Sequence, residues 1–323
     1  MPWLKHRIGD VVKKAGLKFD AILLSTAVIW GFAFVAQRAG MVYVGPFTFN
    51  GVRFALGAFS LLPLCYVQDR VKNGPGGRTP QAGRGGLITG GILAGVVLFF
   101  GASFQQIGIV YTTAGKAGFI TGLYVVIVPI LGLLLKQRPG PGTWIGAGIA
   151  AIGLYFLSIT EEFTIEKGDS LVLAGAFFWA THVLIIGWLS PKTDSVKLAF
   201  LQFATCSALS LVAAMLTESI AVSGLFAASI PILYGGICSV GIAYTLQVVG
   251  QKGAPPAHAA IILSLETVFA AFGGWIILGE TIPPRGLLGC ALMLAAMVIS
   301  QVGSKMLPLV AMTNVRVPPH NPT

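Results

Sequence analysis

Residues 255–280 read PPAHAAIILSLETVFAAFGGWIILGE. Two prolines open this stretch, and the side chains that follow are almost all apolar. It is long enough to cross a bilayer, which takes about 20 apolar residues as a helix. The ionisable exceptions before its closing Glu280 are His258 and Glu266. They stand eight positions apart, roughly two helical turns, so a continuous helix puts them on one face. A charged side chain at the bilayer centre costs about 2.5–3.5 kcal/mol on insertion scales, so Glu266 has to be protonated, paired or in contact with water. The stretch therefore reads as a membrane helix with one polar, inward face.

The rest of the chain agrees. Hydrophobic residues make up 55% of the 323 and charged ones only 10%, with mean hydropathy +0.84. Soluble domains carry about 25% charged residues. Cutting the sequence at charges and Gly/Pro clusters yields ten apolar segments, near 21–40, 46–67, 86–108, 114–135, 141–160, 169–189, 197–217, 229–250, 255–279 and 284–303. The expected fold class is an all-α membrane protein. Residues 1–20 form a basic segment before the first span, and 304–323 form a tail. The hydrophilic stretch QDRVKNGPGGRTPQAGRGG (68–86) reads as a flexible linker. No stretch between segments is large enough for a separate soluble domain, so function must reside in the bundle.

The net charge of +10 is a membrane-surface signal rather than a nucleic-acid one, because the basic residues lie in loops without interleaved base-stacking aromatics. With both termini inside, 16 Lys and Arg fall on the inner side and 4 on the outer, with Arg53 inside segment 2. That asymmetry predicts a multi-pass protein of the cytoplasmic membrane, with N- and C-termini in the cytoplasm. The four cysteines lie far apart in apolar runs, and no metal-ligand spacing occurs. Neither HExxH nor a P-loop is present, so no metal, cofactor or ATP-driven chemistry is expected, and an intramembrane enzyme lacks its paired catalytic groups.

The chain repeats itself. AVIWGFAFVAQ (27–37) matches AFFWATHVLII (176–186), setting Trp30 against Trp179. GPGTWIGAGIAAIGLYFLS (140–158) matches IPPRGLLGCALMLAAMVIS (282–300), and YTTAGKAGFITGLY (111–124) lies on GAPPAHAAIILSLE (253–266). The last pairing sets Lys116 against His258 and Tyr124 against Glu266, both 142 residues apart. Each half, 21–160 and 169–303, holds five segments. An odd number inverts the second half, giving ten transmembrane helices as two inverted five-helix repeats. In secondary transporters with such repeats, substrate binds near the midplane at the repeat interface.

The stretches WGFAFVAQ, GIVYTTAGKAGFITGLYVVIVPILG and LSLETVFAAFGGWIILGE resemble the two EamA repeats of the drug/metabolite transporter superfamily, over roughly residues 20–303. The resemblance implies a cavity lined mainly by segments 1, 3, 4, 6, 8 and 9, and the movement, often outward, of small metabolites such as amino acids. The second repeat of that family commonly reads Glu-Pro where this chain has Glu266-Thr267, so a proline kink in segment 9 is not assured.

Candidate substrate-binding residues are Trp30, Phe34, Gln105, Gln106, Thr113, Lys116, Thr121, Tyr124, Trp179, His182, Tyr244, Gln247 and His258, with Tyr111 and Thr112 nearby. Glu266 is the candidate proton-coupling residue, with an interhelical carboxylic-acid hydrogen bond as its structural alternative. Arg53 reads as structural, because segment 2 is peripheral in the family. Gly142, Gly146 and Ala150, and Gly286, Gly289 and Ala296, give segments 5 and 10 small faces that pack on each other or on a second copy. The expected partners are a small-molecule substrate, membrane lipid and, through segments 5 and 10, a homodimer. The expected function is secondary transport, in the direction of export, by alternating access; an uncoupled facilitator or a non-transporting sensor or scaffold is the alternative.

Overall fold

The structure, a computed structural model, describes residues 2–72, 84–112, 114–158, 167–278 and 283–313, with side chains described over 16–70, 85–112, 117–157, 167–277 and 283–300. Segments 1–3 form α1 (Pro2–Gly40), α2 (Pro46–Lys72) and α3 (Arg84–Tyr111). Segment 4 is two helices, α4 (Ala114–Gly122) and α5 (Tyr124–Leu134). Segments 5–7 form α6 (Pro141–Ser158), α7 (Lys167–Leu189) and α8 (Ser195–Thr217). After the short α9 (Val222–Ala227), segment 8 is α10 (Ser229–Leu233), a π-helical stretch (Tyr234–Tyr244) and α11 (Thr245–Gly250). Segment 9 is α12 (Pro256–Leu263) and α13 (Glu266–Leu278), and segment 10 is α14 (Pro284–Thr313).

Among the described residues, eight helical stretches are long and apolar enough to cross a membrane, and those of segments 5 and 10 are shorter apolar helices, Pro141–Leu157 and Pro284–Ser300. Large apolar side chains such as Phe59, Leu134, Leu216, Phe226, Ile230 and Ile276 are exposed on the outside, as lipid contact requires. The protein is a multi-pass membrane protein.

The helices pair closely. Segment 3 packs on segments 6 and 7, segment 8 on 1 and 2, segment 2 on 7, segment 9 on 1, and segment 4 on 6. Lipid tails are as apolar as leucine, so these contacts depend on close backbone approach rather than on hydrophobic exclusion. A Cβ at Gly95 would lie 2.8 Å from the Gln202 carbonyl oxygen, and one at Gly108 2.9 Å from that of Gly168. Segments 5 and 10 meet antiparallel through their small faces. Gly146 faces Ala296, and Gly153 faces Gly289. The surfaces that made these segments a candidate dimer interface are thus used inside one chain.

Charged groups close the ends of the bundle. Past the end of α8, the Glu218 carboxylate accepts from the Phe47 and Thr48 amides, each at 2.8 Å, and from Thr48 Oγ1 at 2.7 Å. It caps a helix 170 residues away in sequence and sits where the helix dipole favours an anion. At the other end of the same helix pair, Asp194 caps α8 through the Val196 and Lys197 amides at 3.0 and 3.1 Å, and Lys197 pairs with Asp69 of α2.

Gly153→Leu is expected to separate α6 from α14, because a Cβ there lies 2.8 Å from the Gly289 carbonyl oxygen. The overpacking cost is about 1–3 kcal/mol. Gly148→Leu, where a Cβ meets nothing within 4 Å, should leave stability unchanged. Thermal melts of both purified variants in detergent check the contrast.

Candidate functional site

Segments 4 and 9 both break in mid-course. The helices start at 114 and 256 and restart at 124 and 266, keeping the 142-residue offset of the sequence repeat. Around each break the backbone ladder tightens to i→i+3 bonds: Leu123 N to Ile120 O and Leu265 N to Ile262 O, both 3.2 Å. No proline is needed at 267 for this. Ser264 Oγ donates to Ile261 O at 2.9 Å, a local bond that competes with the helix backbone. Gly122 lets three helices converge, since a Cβ there would meet Leu154 at 2.8 Å and Thr267 Oγ1 at 3.2 Å. Thr267 Oγ1 then donates to the Gly118 carbonyl at 3.3 Å, tying one broken helix to the other.

Tyr124 and Glu266 are the first residues after the two breaks, and both line one central cavity. In this conformation its volume is about 30 Å³, room for roughly two water molecules. Trp30, Trp179 and Tyr244 form its aromatic wall, with ring centroids 4.5 Å apart for Trp30–Tyr244 and 6.1 Å for Trp179–Tyr244. The π-helical stretch sets this wall. Its widened turns present carbonyls sideways, and Trp30 Nε1 donates to Ser239 O at 3.2 Å while Thr26 Oγ1 donates to Ala243 O at 3.3 Å.

A chain of amides forms a second wall. Gln105 Nε2 donates to Gln37 Oε1 at 3.1 Å, and Gln105 Oε1 accepts from Trp179 Nε1 at 2.8 Å and, more weakly, from Thr121 Oγ1 at 3.5 Å. Gln247 also reaches the cavity, with its Oε1 buried and lacking a hydrogen-bond partner among the described residues. Glu266 is 5% exposed and stands in the first turn of α13.

Of the residues singled out from sequence, Trp30, Phe34, Gln105, Thr121, Tyr124, Trp179, Tyr244, Gln247 and Glu266 come together here. Others do not. Gln106 is buried and donates to the Gln37 carbonyl at 3.4 Å. His182 lies behind the aromatic wall, its Nε2 2.8 Å from Gln202 Oε1 and its ring edge-on to Trp179 and Tyr244. The helix break separates His258 from Glu266. His258 sits at the other end of α12, with Nδ1 2.9 Å from Ser300 Oγ and Nε2 3.0 Å from Asp20 Oδ1, joining segments 1, 9 and 10. Tyr111 is exposed, and Thr112 donates to Asp169 at 2.5 Å. Thr113 and the side chain of Lys116 lie outside the described residues.

The cavity also takes Gln37, Arg53, Val183, Ser239 and Leu263. Gln37 ends the repeated motif AVIWGFAFVAQ, which was a usable signal. Ser239 contributes through a π-helical backbone that periodicity does not foretell. Arg53 carried the plainest signal, a cation inside an apolar segment, yet assigning it a structural role in a peripheral helix put it outside the site.

Gln105→Leu is expected to cost more stability than Gln247→Leu. The first strips buried partners from Trp179 and Gln37, at about 1–3 kcal/mol per group, whereas the Oε1 of Gln247 has none to lose. Denaturation monitored by tryptophan fluorescence checks the order.

An EamA-like transporter family model matches the chain twice, over residues 17–159 and 166–301. An uncharacterized transporter of Archaeoglobus fulgidus is 31% identical over 87% of this chain and 84% of its own length. The uncharacterized transporter YoaV of Bacillus subtilis is 20% identical over 84% and 92%. A crystal structure of another protein overlays with a TM-score of 0.71 at 17% identity, covering 90% of this chain and 98% of that one, so the fold is shared. With nearly the whole membrane region matched in two consecutive halves, the chain belongs to the EamA-like transporter family, and so fits the drug/metabolite transporter superfamily.

Proposed function

We propose that the protein is a secondary transporter that exports small metabolites, amino acids or their derivatives first, across the cytoplasmic membrane by alternating access. One observation carries this reading: two helix breaks, 142 residues apart, deliver Tyr124 and Glu266 to a single buried cavity. Broken helices meeting at an interior site between repeats are the usual construction of secondary transporters. The pairing of helices supports two inverted five-helix repeats. Exchanging segments 1–5 with 6–10 maps 3–6 onto 8–1, 3–7 onto 8–2, and 1–9 onto 6–4, and returns 2–7 and 5–10 to themselves. Rocking one repeat on the other would open the cavity to each side in turn. Both termini then lie in the cytoplasm, as the loop charges require.

Glu266 is the proposed coupling group. It lines the cavity together with Tyr124, and substrate and proton would compete for its carboxylate. Protein reconstituted in liposomes and tested against a panel of labelled amino acids is expected to transport with a pH-gradient dependence. Glu266→Gln should abolish that dependence and slow transport at least about tenfold, a loss of 1.4 kcal/mol or more in transition-state stabilisation. Unchanged transport and pH dependence in Glu266→Gln would remove Glu266 as the coupling group; transport by wild type with no dependence on the pH gradient would leave an uncoupled facilitator; no transport by any member of the panel would remove amino acids from the reading.

A further inference from the structure

We propose that Arg53 is the receptor for a carboxylate on the transported molecule, so that the cavity selects small organic acids and zwitterions over amines and neutral solutes. This deepens the transport reading and rests on it.

Arg53 is 2% exposed and lines the cavity, yet no carboxylate pairs with it among the described residues. Its Nε–H goes to Asn50 Oδ1 at 3.0 Å. Its guanidinium carbon lies 5.4 Å from the centroid of the Phe49 ring and 5.0 Å from that of Phe54. Rings on the guanidinium hold it in place and attract a cation, but they cannot satisfy its terminal N–H groups. No hydrogen bond from those groups is found within the described residues, which leaves the planar fork for a bidentate oxyanion. Burying an unpaired cation is costly, and the cost is relieved when the counter-ion arrives with the ligand. The backbone makes room for the side chain: a Cβ at Gly235 of the π-helical stretch would lie 3.3 Å from Arg53 Cδ, so glycine there lets it pass.

One described cation lines the cavity, which suits a monoanion better than a phosphate dianion. Glu266 lines the same space without bonding to Arg53. A zwitterion can satisfy both, its carboxylate on Arg53 and its ammonium toward Glu266 and the rings of Trp30 and Tyr244.

The test is equilibrium binding to the full chain in lipid nanodiscs, which does not depend on turnover. The probes are L-leucine, 4-methylpentanoate, 3-methylbutylamine, 4-methylpentanamide and methyl phosphate. The two carboxylates are expected to bind. Arg53→Gln should weaken both by at least about thirtyfold, the equivalent of roughly 2 kcal/mol, and leave the amine unchanged. Arg53→Lys, which keeps the charge but loses the fork, should fall between. The ligand-free Arg53→Met protein should melt within a few degrees of wild type, because the guanidinium it loses has few partners.

Four results overturn the assignment. Wild type could bind neither carboxylate, or bind methyl phosphate more tightly than both. Arg53→Gln could retain carboxylate affinity. Arg53→Met could melt far below wild type while Arg53→Lys and Arg53→Gln bind carboxylates normally, which would make Arg53 structural. Carboxylate binding that depends on Arg53, without movement across liposomes, would instead overturn the transport reading alone.

Discussion

Every backbone N–H and C=O inside a bilayer must find a partner within the protein, because lipid offers none. That obligation makes the chain helical, and it decides where helices can stop being regular. The irregular backbone of the membrane region, the turns at Leu123 and Ser264–Leu265 and the π-helical stretch Tyr234–Tyr244, borders the central cavity on one side, although Ile237 and Ile242 of the π-helical stretch face outward. Side chains from other helices meet the displaced carbonyls. Trp30 donates to Ser239, Thr26 to Ala243 and Thr267 to Gly118. These bonds hold the site and also permit it to exist, since without them the broken helices would bury unpaired polar groups.

Packing around the site follows from the same solvent. Hydrophobic exclusion does little between helices in lipid, so contact area and backbone approach carry the association. Glycines at 95, 108, 146, 153 and 289 bring neighbouring backbones together where a side chain would hold them apart. The pairs so formed approach at backbone distance.

Much of this was legible in the sequence. The 142-residue offset linking Tyr124 to Glu266 was readable without coordinates, and it is the offset at which both helices restart. The aromatic wall was foreshadowed by the match of Trp30 with Trp179. Two expectations gave way to geometry. His258 and Glu266 share a face only on an unbroken helix, and the turn at Ser264–Leu265 leaves His258 bound to Asp20 and Ser300 instead. Arg53 looked peripheral because position along the chain says nothing of where a helix points. Its place in the cavity comes from segment 2 packing against the glycines of the π-helical stretch.

The sequence by itself determined that this chain lives in a membrane, how many apolar segments it has, which loops are basic, and that its halves are related. Those are properties of composition and period, which each residue reports alone or with near neighbours. Only the tertiary structure decided which polar side chains share a space, that Gln105 joins Trp179 to Gln37, and that a cation and an acid, Arg53 and Glu266, line the same cavity without bonding to each other. The reason is physical. In lipid the cost of a buried polar group is settled by its partners, and partners from segments 68 to 217 residues apart are found only once the helices have packed.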